Sequence, residues 1–197
     1  MKTLLAGLLF LNILSPLIAE ESAPSFSTGI KIGEVSQNTA IIWSRLTSNT
    51  LKGSNSNMKH KYNGVPGRVQ VSYWPEGAQQ EMTELQPVAV DRQKDFSCQI
   101  MLNELKPNTK YRAKVTALSE SGFKGQELMA RFKTAPRPEQ ISDVEAVVVT
   151  CQGHETIDDP DKGHWVYSHM LTLEPDFFIH TGDVVYYDKG EALPLSK

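Results

Sequence analysis

The sequence has 197 residues, of which 40% are hydrophobic and 22% are charged, and its formal net charge is −3. This composition is typical of a globular chain of one or two domains and excludes a disordered or fibrous protein. The charges form no long basic run, so the sequence offers no evident scaffold for binding nucleic acid.

The amino terminus is predicted to be a secretory signal peptide. Lys2 precedes an almost unbroken apolar stretch over residues 4–14, and the chain becomes acidic directly after Ala19. A basic start, an apolar core and a small residue at the cleavage point are typical of an export signal. We therefore expect residues 1–19 to be removed, with a retained membrane anchor as the alternative. No internal segment reaches the roughly 18 apolar residues of a membrane span, so we expect no stable span after cleavage.

The next part of the chain is predicted to be an all-β sandwich. Turn residues recur about every ten positions between short runs rich in β-branched and aromatic residues. The predicted strands are 39–46, 68–74, a weak one at 86–90, 96–105, 111–118 and 127–134. Alternation places Cys98 on the same face as Ile100 and Leu102, so we expect Cys98 to be a buried core residue, away from Cys151 and not disulfide-bonded to it.

One turn of this region has a more specific pattern. Leu105, Pro107 and Tyr111 are spaced as in the tyrosine corner of fibronectin type III and immunoglobulin-like sandwiches, in which a tyrosine hydroxyl bonds to the upstream backbone. A generic half-buried tyrosine is the alternative, but it leaves the spacing unexplained. The segment 132–138 also resembles the exit of a fibronectin type III domain. These resemblances imply a fibronectin-III-like domain over residues 20–137.

After a linker at 136–139 the pattern changes to that of an α/β unit. Residues 144–150 are largely apolar, as in a strand buried on both faces, and 176–181 form a second apolar strand. Between them lie a polar loop and a stretch with apolar residues at helical spacing, 163–173. This order predicts a β–loop–α–β unit with parallel strands.

The parallel order has a consequence for two side chains. The carboxyl ends of both strands meet at one edge of the sheet, where open α/β sheets bind ligands. Cys151 follows the first strand and Asp183 follows the second. We therefore expect Cys151 and Asp183 to converge.

The same positions carry a family resemblance. Residues 180–186, His-Thr-Gly-Asp-Val-Val-Tyr, resemble the Gly-Asp-x-x-Tyr metal motif of the alkaline phosphatase D (PhoD-like) and purple acid phosphatase branches of the metallophosphoesterases. Residues 150–152, Thr-Cys-Gln, resemble the Ser-Cys-Gln motif of the PhoD-like branch, whereas purple acid phosphatases have an aspartate at the cysteine position. Residues 174–178 resemble the family's lead-in to the second strand. Cys151 therefore favours the PhoD-like branch.

The resemblance implies a bimetallic site. Cys151 and Tyr186 would bind Fe³⁺, and Asp183 would bridge it to a second divalent ion such as Ca²⁺. Such a pair binds the phosphate of an ester substrate and lowers the pKa of a water for in-line attack. His180 and His154 are expected near the site rather than as metal ligands. The catalytic residues beyond the ligands are not assigned, and the other acidic residues of the loop before the helix are expected to form a turn.

The sequence departs from the family in two ways. Lys2 is the only basic residue before the apolar core, whereas many members carry a twin-arginine signal, so we expect export to the periplasm or medium by the general secretory route. The family's later metal ligands have no counterpart within the 197 residues. We therefore expect residues 140–197 to be the start of a PhoD-like metallophosphatase domain, inactive on its own.

The predicted protein is thus mainly β. A fibronectin-III/Ig-like β-sandwich precedes the first βαβ unit of an α/β metallophosphatase domain, and the expected function is hydrolysis of phosphate mono- or diesters. The alternative is a non-catalytic secreted binding module with an inert phosphatase remnant.

Overall fold

The computed structural model describes residues 23–48, 62–152, 158–159, 163–184 and 186. The predicted signal peptide lies outside these residues. The strands and the helix are β1 (Pro24–Ser25), β2 (Ile30–Gly33), β3 (Ala40–Arg45), β4 (Thr47–Ser48), β5 (Arg68–Pro75), β6 (Thr83–Glu84), β7 (Val88–Ala89), β8 (Ser97–Leu102), β9 (Lys110–Leu118), β10 (Lys124–Lys133), β11 (Ala146–Val149), α1 (Trp165–Thr172) and β12 (Phe177–His180).

Strands β1 to β10 form an antiparallel β-sandwich. One sheet has the order β10-β9-β5-β6, with β7 also paired to β5, and the other has the order β2-β3-β8. The short strands β1 and β4 pair with each other. The predicted mainly β fold with a sandwich is therefore confirmed.

The core lies between the two sheets and is built from alternate residues of each strand, because successive side chains of a strand point to opposite faces. Val69 and Val71 of β5 face Ile42 of β3 and Leu102 of β8, and all four side chains are fully buried. Cys98 is buried in the same cluster, as its position in the alternation predicts. One face of each strand therefore supplies the apolar burial that stabilises the sandwich.

The weak strand expected at 86–90 corresponds to β7 at Val88–Ala89, and a further short strand, β6 at Thr83–Glu84, precedes it. Strands β6 and β7 both pair with β5, at Ser72↔Glu84 and at Val69↔Val88. Pro87 lies between them, and proline has no N–H to donate to a sheet. The interruption therefore follows from the chemistry of one residue that the apolar pattern does not record.

The tyrosine corner is present. The Lys106 N–H donates to the Tyr111 hydroxyl at 2.8 Å, five residues upstream of the tyrosine. The Tyr111 ring is buried and stacks on Phe132 with ring centroids 5.4 Å apart. Asn108 takes a left-handed conformation, with φ of 48°, in the tight turn between Lys106 and Tyr111. The corner thus ties the β8–β9 connection to the last strand of the sandwich.

We expect Tyr111→Phe to destabilise the sandwich by about 1 kcal/mol, the usual net value of one hydrogen bond. The ring packing on Phe132 is kept, while the Lys106 N–H loses its acceptor. The urea midpoint of the chain measures the effect. Tyr167→Phe on α1, outside the sandwich, is the matched control and should leave the midpoint unchanged. Equal midpoints for wild type and Tyr111→Phe would contradict a stabilising role for the corner.

Strands β11 and β12 pair in parallel, with α1 between them in sequence. The register runs from Ala146↔Phe177 to Val149↔His180. Asp158 caps the start of α1, since its Oδ2 accepts the Trp165 N–H at 3.0 Å. The helix ends before Glu174, which has a left-handed φ of 49°, and Pro175 follows. The predicted β–loop–α–β order is present in the described residues.

Asp176 joins this unit to the sandwich. Its Oδ1 lies 3.6 Å from Lys133 Nζ at the end of β10. Its Oδ2 accepts the Glu145 N–H at 3.2 Å, and its own N–H donates to the Glu145 carbonyl at 2.9 Å. These contacts hold the amino ends of β11 and β12 together, at the end opposite to the predicted site.

One expectation about this unit is wrong for the described residues. The strand that contains Val148 was expected to be buried on both faces, yet Val148 is 59% exposed, and Phe177 and Phe178 of β12 are each 53% exposed. A sheet of two strands has few neighbours to cover it, whatever its sequence pattern.

Within the residues described, helix α1 is too short to cross a membrane, and no other helix qualifies as a span.

Candidate metal centre

The pairing of β11 with β12 continues into the two loops that follow these strands. The Cys151 N–H donates to the Gly182 carbonyl at 3.1 Å, and the Gln152 N–H donates to the Asp183 carbonyl at 3.0 Å. The parallel ladder therefore sets the two loops side by side and in register. This is the edge of the sheet at which the sequence predicts a site.

The backbone is unusual at both predicted ligands. Cys151 has φ of 56° and Asp183 has φ of 54°, while Gly182 between the strand and Asp183 has φ of 141°. A left-handed residue other than glycine costs on the order of 1 kcal/mol, and such residues cluster at functional sites. The left-handed residues Cys151 and Asp183 end the extended conformation of β11 and β12, so the chain changes direction at both predicted ligands.

The three predicted ligands meet at one oxygen atom. Cys151 Sγ donates to Asp183 Oδ2 at 3.2 Å, and the Tyr186 hydroxyl donates to the same oxygen at 3.0 Å. Both contacts lie at the exposed edge of the sheet. The structure thus brings Cys151, Asp183 and Tyr186 together from two loops. Cys151 and Asp183 are 32 residues apart in sequence.

These contacts alter the acid–base chemistry of the phenol. Its hydrogen bond with Cys151, partial burial and the nearby Asp183 carboxylate together raise the pKa of Tyr186 above its ordinary value. The carboxylate accepts the phenol proton and also repels the charge of a phenolate. In this arrangement the phenol keeps its proton, and a cation that bound to its oxygen would have to displace that proton.

The donor set fits a highly charged metal ion. A thiol, a carboxylate and a phenol become three anionic donors when the two shared protons leave, and metal ligands of these types bind in the deprotonated form. The described residues contain no group of three His, Cys, Asp or Glu placed to hold a metal. The third donor of the cluster around Asp183 is Tyr186, so the cluster is a partial ligand set.

His180 contacts the backbone next to the cluster. Its Nδ1 accepts the Gly182 N–H at 3.3 Å. Nothing in the sequence points to this contact, because its donor is a backbone N–H. His154 lies outside the described residues, so its expected place near the site stays a prediction.

The described loop residues before α1 make local contacts. Asp158 caps the helix and lies 3.8 Å from His164 Nδ1 through its Oδ2. Asp159 and Gly163 exchange two backbone hydrogen bonds, at 3.1 and 2.8 Å. Asp161 lies outside the described residues. The described contacts are those of a turn that starts a helix.

The two cysteines are both free, as expected. Cys98 is buried in the sandwich, 3.4 Å from the Ser44 hydroxyl, whereas Cys151 is exposed at the sheet edge. Burial raises the pKa of the Cys98 thiol, partly offset by its hydrogen bond with Ser44. Cys151 is therefore the more accessible thiol, and burial disfavours ionisation of Cys98.

We expect iodoacetamide to modify Cys151 well before Cys98 in the native chain, because the thiolate is the reacting form. Peptide mass spectrometry over a time course measures both rates. Cys151→Ser should leave only the slow reaction, and denaturant should make the two rates similar. A cross-linked Cys98–Cys151 peptide in the unreduced protein would overturn both assignments.

Comparison with solved structures relates the fold of this chain to that of PhoD. A structure of PhoD matches with a TM-score of 0.64 and 18% identity, over 84% of this chain and 29% of the PhoD chain. A fibronectin type III domain derived from the human KIAA0970 protein matches with a TM-score of 0.40 and 19% identity, over 58% of this chain and 76% of that one. The sensor domain of the anti-sigma factor RsgI4 of Pseudobacteroides cellulosolvens matches with a TM-score of 0.36 and 18% identity, over 55% and 92%. No protein with a curated description matches the chain.

The sandwich also has a sequence match of its own. The family model for the N-terminal domain of PhoD-like phosphatases matches residues 13–136, which is more than half of the chain. The match spans every strand from β1 to β10. The chain therefore belongs to the PhoD-like phosphatase family, whose N-terminal domain it carries.

Proposed function

We propose that this chain is the N-terminal part of an exported metal-dependent phosphatase that hydrolyses phosphate esters at a two-metal site. Cys151 and Tyr186 would hold Fe³⁺, and Asp183 would be shared with a divalent ion such as Ca²⁺. The observation that supports this most directly is the convergence of the Cys151 thiol and the Tyr186 hydroxyl on one oxygen of Asp183.

The chain's own residues contribute donors and their placement. The parallel ladder holds the Cys151 and Asp183 loops in register, and Tyr186 closes the cluster three residues after Asp183. Asp183 has two carboxylate oxygens, so it can serve two cations at once. When bound, a metal pair would stabilise charge on the transferring phosphoryl group and lower the pKa of the attacking water.

We propose that the remaining ligands lie in a longer chain. The protein spans 29% of the PhoD chain that it resembles, and a two-metal site needs more donors than three side chains supply. We propose that the sandwich is followed by a complete metallophosphatase domain of which β11, α1 and β12 are the first unit. Export through the general secretory route would then precede metal uptake.

The proposal is tested with the 197-residue chain and with a chain extended through a complete phosphatase domain. Both are assayed against p-nitrophenyl phosphate and bis-p-nitrophenyl phosphate, before and after chelation and on return of Fe³⁺ and Ca²⁺. We expect the shorter chain to stay at background and the longer one to hydrolyse an ester in a chelator-sensitive way. An extended chain that folds, binds both ions and hydrolyses neither ester would favour the non-catalytic binding module instead.

A further inference from the structure

Both backbone polar groups of Gly182 are held by hydrogen bonds, one in the peptide before this residue and one in the peptide after it. Its carbonyl accepts the Cys151 N–H at 3.1 Å, and its N–H donates to His180 Nδ1 at 3.3 Å. The first contact belongs to the ladder that continues from β11 and β12. The second comes from a side chain of β12 that turns back over the residue two positions later.

This contact fixes the tautomer of the neutral imidazole. A nitrogen that accepts a hydrogen bond carries no proton, so the proton of the ring lies on Nε2. Nε2 of His180 is buried, and it has no hydrogen-bond partner in the described residues. Of the two ring nitrogens, Nδ1 is therefore the one that makes the described contact.

Aromatic packing fixes the orientation of the same ring. The His180 ring lies 6.4 Å from Phe178, which lies 5.9 Å from Tyr167 of α1. His180 and Phe178 are two residues apart on β12 and share one face of the strand. The helix therefore supports the imidazole through a row of rings, and the imidazole supports the Gly182 peptide.

Gly182 directly precedes Asp183, the residue at which the cluster meets. The pair has φ of 141° at Gly182 and 54° at Asp183, so the carboxylate position depends on the backbone conformation of Gly182. A rotation about the Gly182 backbone would move Asp183 Oδ2 away from Cys151 Sγ, which lies 3.2 Å from it. A contact that fixes the Gly182 N–H therefore helps to fix the carboxylate.

We propose that His180 is a positioning residue of the metal site. Its Nδ1 accepts the Gly182 N–H and, through the Gly182 backbone, fixes the position of Asp183. The role toward the metal rests on the proposed function, whereas the tautomer and the Gly182 contact do not. His180 acts through Gly182 and is not itself a ligand.

The first test uses the unmutated chain labelled with ¹⁵N. Long-range nitrogen–proton correlation spectra report which ring nitrogen of His180 carries the proton. We expect the Nε2–H tautomer, with Nδ1 unprotonated and free to accept the Gly182 N–H. A ring protonated on Nδ1 overturns the proposal, because that nitrogen could not accept the Gly182 N–H.

The second test measures Fe³⁺ binding by a chain extended through a complete phosphatase domain, with the ion delivered from citrate and the phenolate-to-iron absorption band as readout. Outer residues that orient metal ligands typically contribute tenfold to a hundredfold in affinity. We therefore expect His180→Phe, which keeps a ring against Phe178, to weaken binding by roughly that factor. His180→Asn, which can place an acceptor oxygen near the Nδ1 position, should bind like the wild type.

A Tyr186→Phe variant separates the two proposals. If the wild type binds Fe³⁺, Tyr186→Phe does not, and His180→Phe binds like the wild type, then His180 has no positioning role and the metal site stands. If the wild type and Tyr186→Phe behave alike, the metal site fails, and the role of His180 toward it fails as well. Should His180→Phe not fold, the tautomer in the unmutated chain still decides the contact.

Discussion

Replacing Asp183 by alanine in a chain extended through a complete phosphatase domain is expected to abolish hydrolysis of phosphate esters. The carboxylate is where the Cys151 thiol and the Tyr186 hydroxyl meet, so its loss removes the centre of the ligand cluster. A metal pair supplies several kcal/mol of transition-state stabilisation. Since about 1.4 kcal/mol is a factor of ten in rate, kcat/KM should fall roughly a thousandfold or more.

Cys151→Ala should have a similar effect, with loss of iron measured by metal analysis of the purified protein. Cys98→Ser and Asp159→Ala are the matched controls, because Cys98 lies in the sandwich core and Asp159 in the turn before α1. Both controls should keep their metal content and most of their rate. If Cys151→Ala kept full iron and full kcat/KM, Cys151 would be a structural thiol and the assignment of this site would be wrong.

Leu102→Ala is expected to have the largest effect on stability. Leu102 is fully buried in β8, within the cluster that joins the two sheets of the sandwich. Truncation of a buried leucine to alanine costs about 2–5 kcal/mol, because transfer energy is lost and a cavity remains. With a slope of about 1–3 kcal/mol per molar of urea, the midpoint should fall on the order of 1–2 M.

Met101→Ala is the control for this substitution. Met101 precedes Leu102 on the same strand but points outward and is 49% exposed. Its truncation removes a side chain of similar size with little change in burial, so the urea midpoint should move only slightly. Similar losses in both variants would show that β8 is not oriented as the structure has it.

The parts of the fold that the sequence predicts are those with a local signature. The alternation of Val69 and Val71 predicts which face of β5 is buried, because the side-chain period of a strand is two. The spacing before Tyr111 predicts its bond to the backbone, since donor and acceptor are five residues apart. The parallel order of two strands predicts that Cys151 and Asp183 converge, without any knowledge of distances.

The parts that sequence does not predict depend on distant partners. Strand β2, Ile-Lys-Ile-Gly, is four residues long and is defined by its pairing with β3. The exposure of Val148 depends on what covers β11, which its apolar character cannot report. The bond from Gly182 to His180 is missed because every residue but proline carries the same backbone donor, so no residue type marks it.

The open faces of β11 and β12 have a consequence for how the chain opens in solution. Elements with few buried apolar contacts exchange their amide protons through local fluctuations, whereas core strands exchange only when the whole domain unfolds. Val148 and Ile179 are 59% and 45% exposed, so the amide protons of β11 and β12 should exchange through local fluctuations. Val71 on β5 is fully buried, so its amide proton should exchange only when the whole domain unfolds. The chain is therefore expected to behave as two cooperative units of unequal stability, and the unit that carries Cys151 and Asp183 is the one that opens first.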